Sequence, residues 1–183
     1  MIVIGITGTL GAGKGTVVNY LVNEKGFTHY SVRGLLTEKL HEAGKTVNRD
    51  SLTNLANKLR AGNSPAYLIE LLYEKAVENG KNCIIESIRT PGEIELLRKK
   101  PNFFLLAVDA DPKIRYQRIV LRNSETDNIS YETFLANEKR EMQSNDPNKQ
   151  NLSACIKQAD FVIINNGNIE ELNKKTEYFY QQL

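Results

Sequence analysis

Five short runs with strand character lie along the chain, separated by longer segments whose apolar residues recur every three or four positions. Alternation of this kind is typical of βαβ units built around a parallel sheet. Apolar residues within the runs are mostly continuous, which predicts strands covered by helices on both faces. The predicted strands are IVIGIT (2–7), THYS (28–31), CIIES (83–87), FFLLAVD (103–109) and FVIIN (161–165).

The intervening segments carry helical periodicity, most clearly between residues 52 and 59, where leucines and an alanine follow the i, i+3, i+4, i+7 rule. Local signals mark where several helices begin. Thr90-Pro91-Gly92-Glu93 predicts a capping box with proline in the first turn, and Asp111-Pro112 predicts a second helix start. Ser64-Pro65 predicts an N-cap followed by the first helical residue.

The length of 183 residues suits one domain with a full hydrophobic core. Apolar residues make up 40% and charged residues 25%, which excludes a disordered or fibrous chain. There is no internal repeat. The polar stretch from Asn123 to Asn151 predicts a mobile excursion that contains one helix, rather than a domain boundary.

Charge and cysteine content exclude several functional classes. The net charge of +2 and the lack of tryptophan argue against a nucleic-acid-binding protein. Cys83 lies in an apolar run and is expected to be buried, and neither cysteine is at zinc-ligand spacing to His29 or His41. The N-terminal apolar segment is too short for a membrane span or secretory signal, so we expect a cytoplasmic protein without membrane contact.

The stretch GITGTLGAGKGT (5–16) places a glycine-rich turn between the first strand and the first helix. Glycines let successive backbone N–H groups turn inward, and with the helix N-terminus they form a concave site for phosphate oxygens. Lys14 adds a charge that can follow the β- and γ-phosphates. A plain tight turn would need fewer glycines and leaves the lysine unexplained, and a dinucleotide site would need glycine where Thr16 stands. The predicted phosphate-binding residues are Gly8, Thr9, Leu10, Gly11, Ala12, Gly13, Lys14, Gly15 and Thr16.

A carboxylate and several arginines are the next candidates for chemistry. Glu86 lies at the carboxyl end of the third strand, where it can hold the water ligands of Mg²⁺ or accept a proton, or else form a salt bridge with Lys14 or Arg89. Arg118 and Arg122 share one helical face, where they can compensate a triphosphate. Arg115 lies on the same face, and for it we expect a solvated position.

Between the second and third strands the chain has a helical stretch with arginines suited to a second phosphate. Arg33, Arg49 and Arg60 are candidate ligands of an acceptor phosphate, because a guanidinium matches phosphate oxygens bidentately. Arg140, within the polar stretch, is a candidate for closing onto the transferred group.

The spelling GTLGAGKGT resembles the adenylate kinase family and other nucleoside monophosphate kinases, whose loop follows G-x-x-G-x-G-K-G-T. ESIRT similarly resembles the D-G-F-P-R-T stretch of adenylate kinases, with Glu86 at the acidic position and Arg89-Thr90 matched, although the proline is missing. Arg118 and Arg122 match the R-x-x-x-R pair that leads into the lid of these kinases. The resemblance implies that Mg²⁺ is held mainly by nucleotide oxygens and water, with Thr16 facing the phosphates.

This resemblance implies a three-layer P-loop kinase fold in one domain over residues 1–183, with a five-stranded parallel sheet and helices on both faces. It further implies a helical acceptor-binding insertion at about 32–80 and a short lid at about 123–150. The C-terminal part is also similar to dephospho-coenzyme A kinase, through Ala159-Asp160, Ile164-Asn165 and Asn166-Gly167. Against that similarity, Gly15 replaces the usual serine and the second strand lacks the expected acidic residue.

We therefore expect ATP- and Mg²⁺-dependent phosphoryl transfer to a nucleoside or deoxynucleoside monophosphate. Dephospho-coenzyme A remains an alternative acceptor, and a nucleotide-binding regulator without transfer activity remains an alternative class. Small-molecule nucleotides are the expected partners, and the protein is expected to be a monomer or weak homodimer. The expected catalytic residues are Lys14, Arg89, Arg118, Arg122 and Arg140; the acceptor-binding residues are Arg33, Arg49, Arg60, Glu86 and Arg89; and Thr16 and Glu86 are expected to contact the metal through water.

Overall fold

A computed structural model describes residues 1–124 and 128–183 of the chain. Five parallel strands form one sheet in the order β2-β3-β1-β4-β5. They are β1 (Val3–Gly8), β2 (Thr28–Ser31), β3 (Cys83–Glu86), β4 (Phe103–Asp109) and β5 (Phe161–Ile164). All five predicted strands are therefore confirmed, each to within one residue of its predicted ends.

Helices cover both faces of the sheet, and each face has its own hydrophobic cluster. Val3 and Ile85 face the cluster formed with the helices between β2 and β4, whereas Ile4 and Ile84 face the cluster formed with the first and last helices. The predicted fold class is thus confirmed. The helices are α1 (Lys14–Lys25), α2 (Val32–Glu42), α3 (Arg49–Gly62), α4 (Tyr67–Asn79), α5 (Pro91–Arg98), α6 (Pro112–Arg122), α7 (Tyr131–Met142), α8 (Leu152–Lys157) and α9 (Ile169–Tyr180).

The expectation that every strand is covered on both faces is wrong for β5. Phe161 and Ile163 pack against the cluster of α1 and α9, but Val162 and Ile164, on the opposite face, are 50% and 49% exposed. β5 is the last strand of the sheet and pairs only with β4. FVIIN is apolar at successive positions, so its pattern does not distinguish an edge strand with one exposed face from a strand covered on both faces.

Two of the three predicted helix N-termini agree with the structure. The capping box is confirmed: the Thr90 hydroxyl accepts from the Glu93 amide (3.3 Å), and the Glu93 carboxylate accepts from the Thr90 amide (3.0 Å). Asp111 caps α6 as predicted. The predicted start at Ser64-Pro65 is wrong, because a turn in which the Tyr67 amide donates to the Ser64 carbonyl (3.1 Å) delays α4 by two residues.

The polar stretch contains helix α7, as expected. The proposed lid at about 123–150 also includes residues 125–127, which lie outside the described residues. Cys83 and Cys155 are both buried free thiols, so the expectation for Cys83 is confirmed. Across the described ranges, no helix is long and apolar enough to cross a membrane.

Candidate functional site

The glycine loop lies between the end of β1 and the start of α1, at the carboxyl edge of the sheet. Gly8 has φ +131° and a Cβ there would meet the backbone of Val108; Gly13 has φ +104° and a Cβ would meet the amide nitrogen of Asn165. Both positions therefore need glycine on conformational and steric grounds. A Cβ at Gly15, in contrast, would meet nothing within 4 Å.

Lys14 is the first residue of α1 and its side chain bends back over the loop. Its Nζ donates to the carbonyl oxygens of Gly8 (3.0 Å) and Thr9 (2.7 Å). Burial, followed by the positive charge of Arg89, lowers the pKa of Lys14 from 10.5 to about 7. The amine is thus poised to gain a proton when an anion arrives beside it.

Three contacts from later parts of the chain fix the loop. The Thr9 hydroxyl donates to Asp109 at the end of β4 (2.5 Å), the Asn165 amide donates to the Ala12 carbonyl (2.8 Å), and Arg115 Nη1 donates to the Leu10 carbonyl (3.3 Å). Two neighbouring strand ends and one helix therefore hold the backbone of the glycine loop in place.

The expectation that Arg115 lies on a solvated face is wrong. Its side chain is only 2% exposed and forms a bidentate pair with Glu138 of α7 at 2.7 and 3.0 Å. Its Nε also donates to the Ala110 carbonyl (2.7 Å). Arg115 is buried because this part of α6 packs against the glycine loop and α7.

A cleft of about 910 Å³ lies over the loop, a volume suited to a nucleotide. Arg118 and Arg122, which the sequence offers as candidates for compensating a triphosphate, both line it. Arg118 is oriented by the segment after β5, since its Nη1 and Nη2 donate to the carbonyls of Asn165 (2.8 Å) and Gly167 (2.9 Å). The residues that carry the C-terminal resemblance thus support both the loop and an arginine of the cleft.

Glu86 also lines this cleft, but its partner is one that the sequence did not suggest. His29 Nε2 lies 3.1 Å from Glu86 Oε2, and neither Lys14 nor Arg89 forms the alternative salt bridge in the described part of the chain. Burial acts to raise the pKa of Glu86, but the His29 hydrogen bond and the charges of Lys14 and Arg89 outweigh it and lower the pKa. Glu86 is therefore an anion at the edge of the cleft.

A second, smaller cavity of about 90 Å³ adjoins the cleft. Three residues, Arg33, Ser87 and Arg89, line both spaces. One wall of the cavity is apolar and the remainder is rich in arginine. The other lining residues are Val32, Leu36, Arg49, Leu52, Thr53, Ala56, Arg60, Glu141 and Gln150.

Glu141, from α7, joins two of the cavity arginines. Its Oε1 accepts from Arg49 Nη2 (2.6 Å) and Nε (3.0 Å), and its Oε2 accepts from Arg89 Nη1 (3.0 Å). Gln150 accepts from the same Arg89 nitrogen (3.0 Å). Sequence reasoning missed both Glu141 and Gln150, because only folding brings this segment beside α3 and the end of β3.

Arg60 lies deeper than Arg49 and pairs with Glu93 of α5. Its Nε and Nη2 donate to Glu93 Oε1 at 3.1 and 2.8 Å, and both side chains are at most 2% exposed. The other carboxylate oxygen accepts from the amides of Arg89 (2.7 Å) and Thr90 (3.0 Å). Arg60 Nη1 has no hydrogen-bond partner in the ranges that the structure describes.

The structure does not bring Arg140 to either space. Its half-exposed side chain lies 3.1 Å from Asp50 and 3.2 Å from Asn137 on the outer side of α7. Thr16 lines the cleft together with Gly11, Gly13 and Gly15. Arg33 lies at the junction of the two spaces, which it lines together with Ser87 and Arg89.

Comparison with solved structures shows the fold. TT1252 from Thermus thermophilus matches at a TM-score of 0.62 and 23% identity, covering 100% of this chain and 97% of that chain. Dephospho-CoA kinase from Campylobacter jejuni matches at 0.54 and 17% identity, covering 98% and 96%. Shikimate kinase from Aquifex aeolicus matches at 0.53 and 16%, covering 99% and 97%. The chain thus has the fold of P-loop kinases.

Sequence comparison identifies the family. A model described as an AAA domain matches residues 4–146. A UPF0200 protein of Sulfurisphaera tokodaii is 30% identical over 183 residues, covering 99% of this chain and 97% of the relative. A UPF0200 protein of Pyrobaculum aerophilum is 30% identical over 175 residues, covering 94% and 93%. The matched AAA domain includes the glycine loop. On its identity to these relatives over nearly its whole length, the chain belongs to the UPF0200 family.

Proposed function

We propose that this protein transfers the γ-phosphoryl group of ATP to a small phosphorylated acceptor, a nucleoside or deoxynucleoside monophosphate. One observation carries the proposal: the arginine-rich cavity and the cleft over Lys14 share Arg33, Ser87 and Arg89 as a common wall. A donor in the cleft and an acceptor in the cavity would meet at this wall. Phosphoryl transfer depends mainly on such positioning and on charge compensation.

The donor half of the proposal rests on the loop and α6. Backbone amides of the loop and the N-terminus of α1 bind the triphosphate, and Lys14 turns from the Gly8 and Thr9 carbonyls towards it. Arg118 is already oriented by two carbonyls and, with Arg122, compensates charge on the transferred group.

Few side chains in the cleft could contact a magnesium ion, but those present suit one that is bound mainly by the nucleotide. In the described ranges no group of three or more His, Cys, Asp or Glu residues is arranged to hold a metal, whereas Thr16 and the ionised Glu86 both line the cleft. This set fits Mg²⁺ bound chiefly by phosphate oxygens and water, with Thr16 and Glu86 contacting the water ligands. When bound, the ion neutralises charge on the β- and γ-phosphates.

The acceptor half rests on the arginine pair that Glu141 holds. Glu141 engages Nε and Nη2 of Arg49 and only Nη1 of Arg89. The remaining guanidinium edges, Nη1 of Arg49 and Nε and Nη2 of Arg89, are those we assign to the acceptor phosphate. Arg33 joins them from the junction with the cleft.

The test is acceptor-dependent formation of ADP. The purified protein is incubated with Mg²⁺ and ATP and with each nucleoside monophosphate, deoxynucleoside monophosphate or dephospho-coenzyme A in turn. We expect ADP only with a monophosphate, and none from a Lys14→Met variant whose melting curve shows that it is folded. ATP binding without turnover for any acceptor would indicate a regulator, and turnover with dephospho-coenzyme A alone would replace the proposed acceptor.

A further inference from the structure

We infer, building on the proposed function, that Arg60 recognises a keto oxygen of the acceptor and that the acceptor is a pyrimidine nucleoside monophosphate of the uracil or thymine type. Arg60 Nη1 is buried and has no hydrogen-bond partner among the described residues, although Arg60 lines the acceptor cavity. Buried polar groups are nearly always paired, so this donor needs an explanation.

Glu93 cannot supply the missing bond. One of its oxygens already accepts from Nε and Nη2 of Arg60, and the other accepts from the amides of Arg89 and Thr90. The carboxylate therefore fixes the plane of the guanidinium and leaves Nη1 as its unused donor. The remaining sources of an acceptor atom are an ordered water and a ligand in the cavity, and we assign the bond to the ligand because Arg60 lines the cavity.

The charge of the pair indicates what kind of acceptor atom this is. Arg60 and Glu93 form a buried ion pair that is neutral overall, so the site does not need a second anion. A guanidinium only donates hydrogen bonds. Nη1 is therefore suited to a neutral carbonyl oxygen, and an amino group at the same point would place two donors against each other.

The rest of the cavity indicates what carries that carbonyl. Val32, Leu36, Leu52 and Ala56 form an apolar wall suited to the face of a ring. The cavity of about 90 Å³ is smaller than one of about 150 Å³ that accommodates benzene, so it must widen to admit a single ring and must widen much further for two fused rings; a single ring is the closer fit.

The same cavity also contains the binding site assigned to the phosphate. Arg49 and Arg89 line it together with Arg60, but they are held by Glu141 and not by Glu93. Separate carboxylates thus organise two sets of donors in one cavity. A pyrimidine nucleotide offers a phosphate to one set and a ring carbonyl to the other.

The test compares acceptors that differ only in the group facing Arg60. dTMP has a keto oxygen where 5-methyl-dCMP has an amino group, and UMP and CMP differ in the same way. We expect kcat/KM to favour the keto member of each pair by at least about 30-fold, because a mismatched donor leaves a buried group unpaired. AMP and GMP should both be poorer acceptors than UMP.

Variants separate recognition from stability. Arg60→Met combined with Glu93→Gln removes the buried charged pair while keeping a side-chain oxygen that can accept from the Arg89 and Thr90 amides, and should reduce the keto preference to within about threefold. Lys58→Ala, an exposed change on the same helix, should leave the preference intact. If the double variant does not fold, the wild-type comparison of keto and amino acceptors still decides the question.

The outcomes distinguish the two proposals. Equal use of dTMP and 5-methyl-dCMP, or a preference for purines, overturns the role of Arg60 while leaving phosphoryl transfer to monophosphates in place. Absence of ADP formation with every monophosphate overturns the proposed function and this inference with it. A keto preference that persists in the folded double variant assigns the recognition to another residue.

Discussion

ATP binding should add a proton to Lys14. With a pKa of about 7, the side chain is about 90% neutral at pH 8 and about 10% neutral at pH 6 in the free protein. A triphosphate beside the amine restores its ordinary pKa, since an opposite charge favours the charged form. Binding should therefore take up about 0.9 proton at pH 8 and about 0.1 proton at pH 6.

Isothermal titration calorimetry measures this number directly. Mg²⁺-ATP is titrated into the protein in buffers of different ionisation enthalpy, and the slope of the observed enthalpy against buffer enthalpy gives the protons taken up. Lys14→Met is the matched control because it keeps the length of the side chain and removes the titrating amine. The difference between wild type and variant cancels protons that the nucleotide itself exchanges.

The same pKa gives a stability prediction of known sign. Because the pKa is lowered on folding, the unfolded chain keeps a proton that the folded protein has lost between about pH 7 and pH 10.5. Stability relative to Lys14→Met should therefore rise with pH across this window, by about 1.4 kcal/mol per pH unit. Below pH 7 the cost of burying the charged amine is present in full.

Two results would refute this reasoning. Equal proton uptake by wild type and Lys14→Met at pH 8 would show that the lysine is already charged in the free protein. A relative stability that stays flat between pH 7.5 and pH 9.5 would show that the folded amine keeps its proton across this range, so that the loop carbonyls favour the ammonium group at least as strongly as burial disfavours it.

Five further substitutions test the support around the site. Gly15→Ser should leave the free energy of unfolding within about 0.5 kcal/mol of wild type because the position is open, whereas Gly13→Ala should lower it by about 1–3 kcal/mol, as thermal melts would show. Asn165→Ala should cost about 1 kcal/mol and raise the Kd for ATP, because the bond to the loop carbonyl is lost; an unchanged Kd would contradict this. Glu141→Gln should cost about 3 kcal/mol in urea unfolding, since two arginines lose a buried carboxylate, and a loss under 1 kcal/mol would argue against the bridge. Arg140→Ala should change stability by under about 1 kcal/mol and kcat by less than about threefold, because its ion pair is at the surface; a tenfold fall in kcat would show that Arg140 reaches the cleft on closure.

The elements of the fold were accessible from sequence because each has a local cause. Continuous apolar runs gave the strands, and the spelling of the loop gave the strand, turn and helix around Lys14. The carboxyl ends of parallel strands share one edge, so the meeting of Glu86 with the loop followed from topology. The exposed face of β5 could not be predicted, because the position of a strand at the edge of the sheet depends on the order of all five strands and not on its own residues.

The partners of the arginines could not be predicted in the same way. Arg115 and Arg118 share one face of α6 and look alike in sequence, yet Arg115 is buried against Glu138 while Arg118 lines the cleft. Their exposure differs because α7 packs over Arg115 and not over Arg118. His29 was likewise missed, since only the pairing of β2 with β3 brings it to Glu86.

Glu93 shows how a local signal and a long-range one can share a side chain. Its sequence context predicted only a capping box, and one carboxylate oxygen does cap α5 while also accepting from the Arg89 amide. The other oxygen holds Arg60, 33 residues earlier in the chain. A change at Glu93 would therefore act at once on the start of α5, on the turn that carries Arg89 and on the guanidinium of Arg60. Because the capping box already accounts for an acidic residue at this position, sequence pattern alone gives no reason to look for its second role, which links the helix start to the arginine-rich cavity.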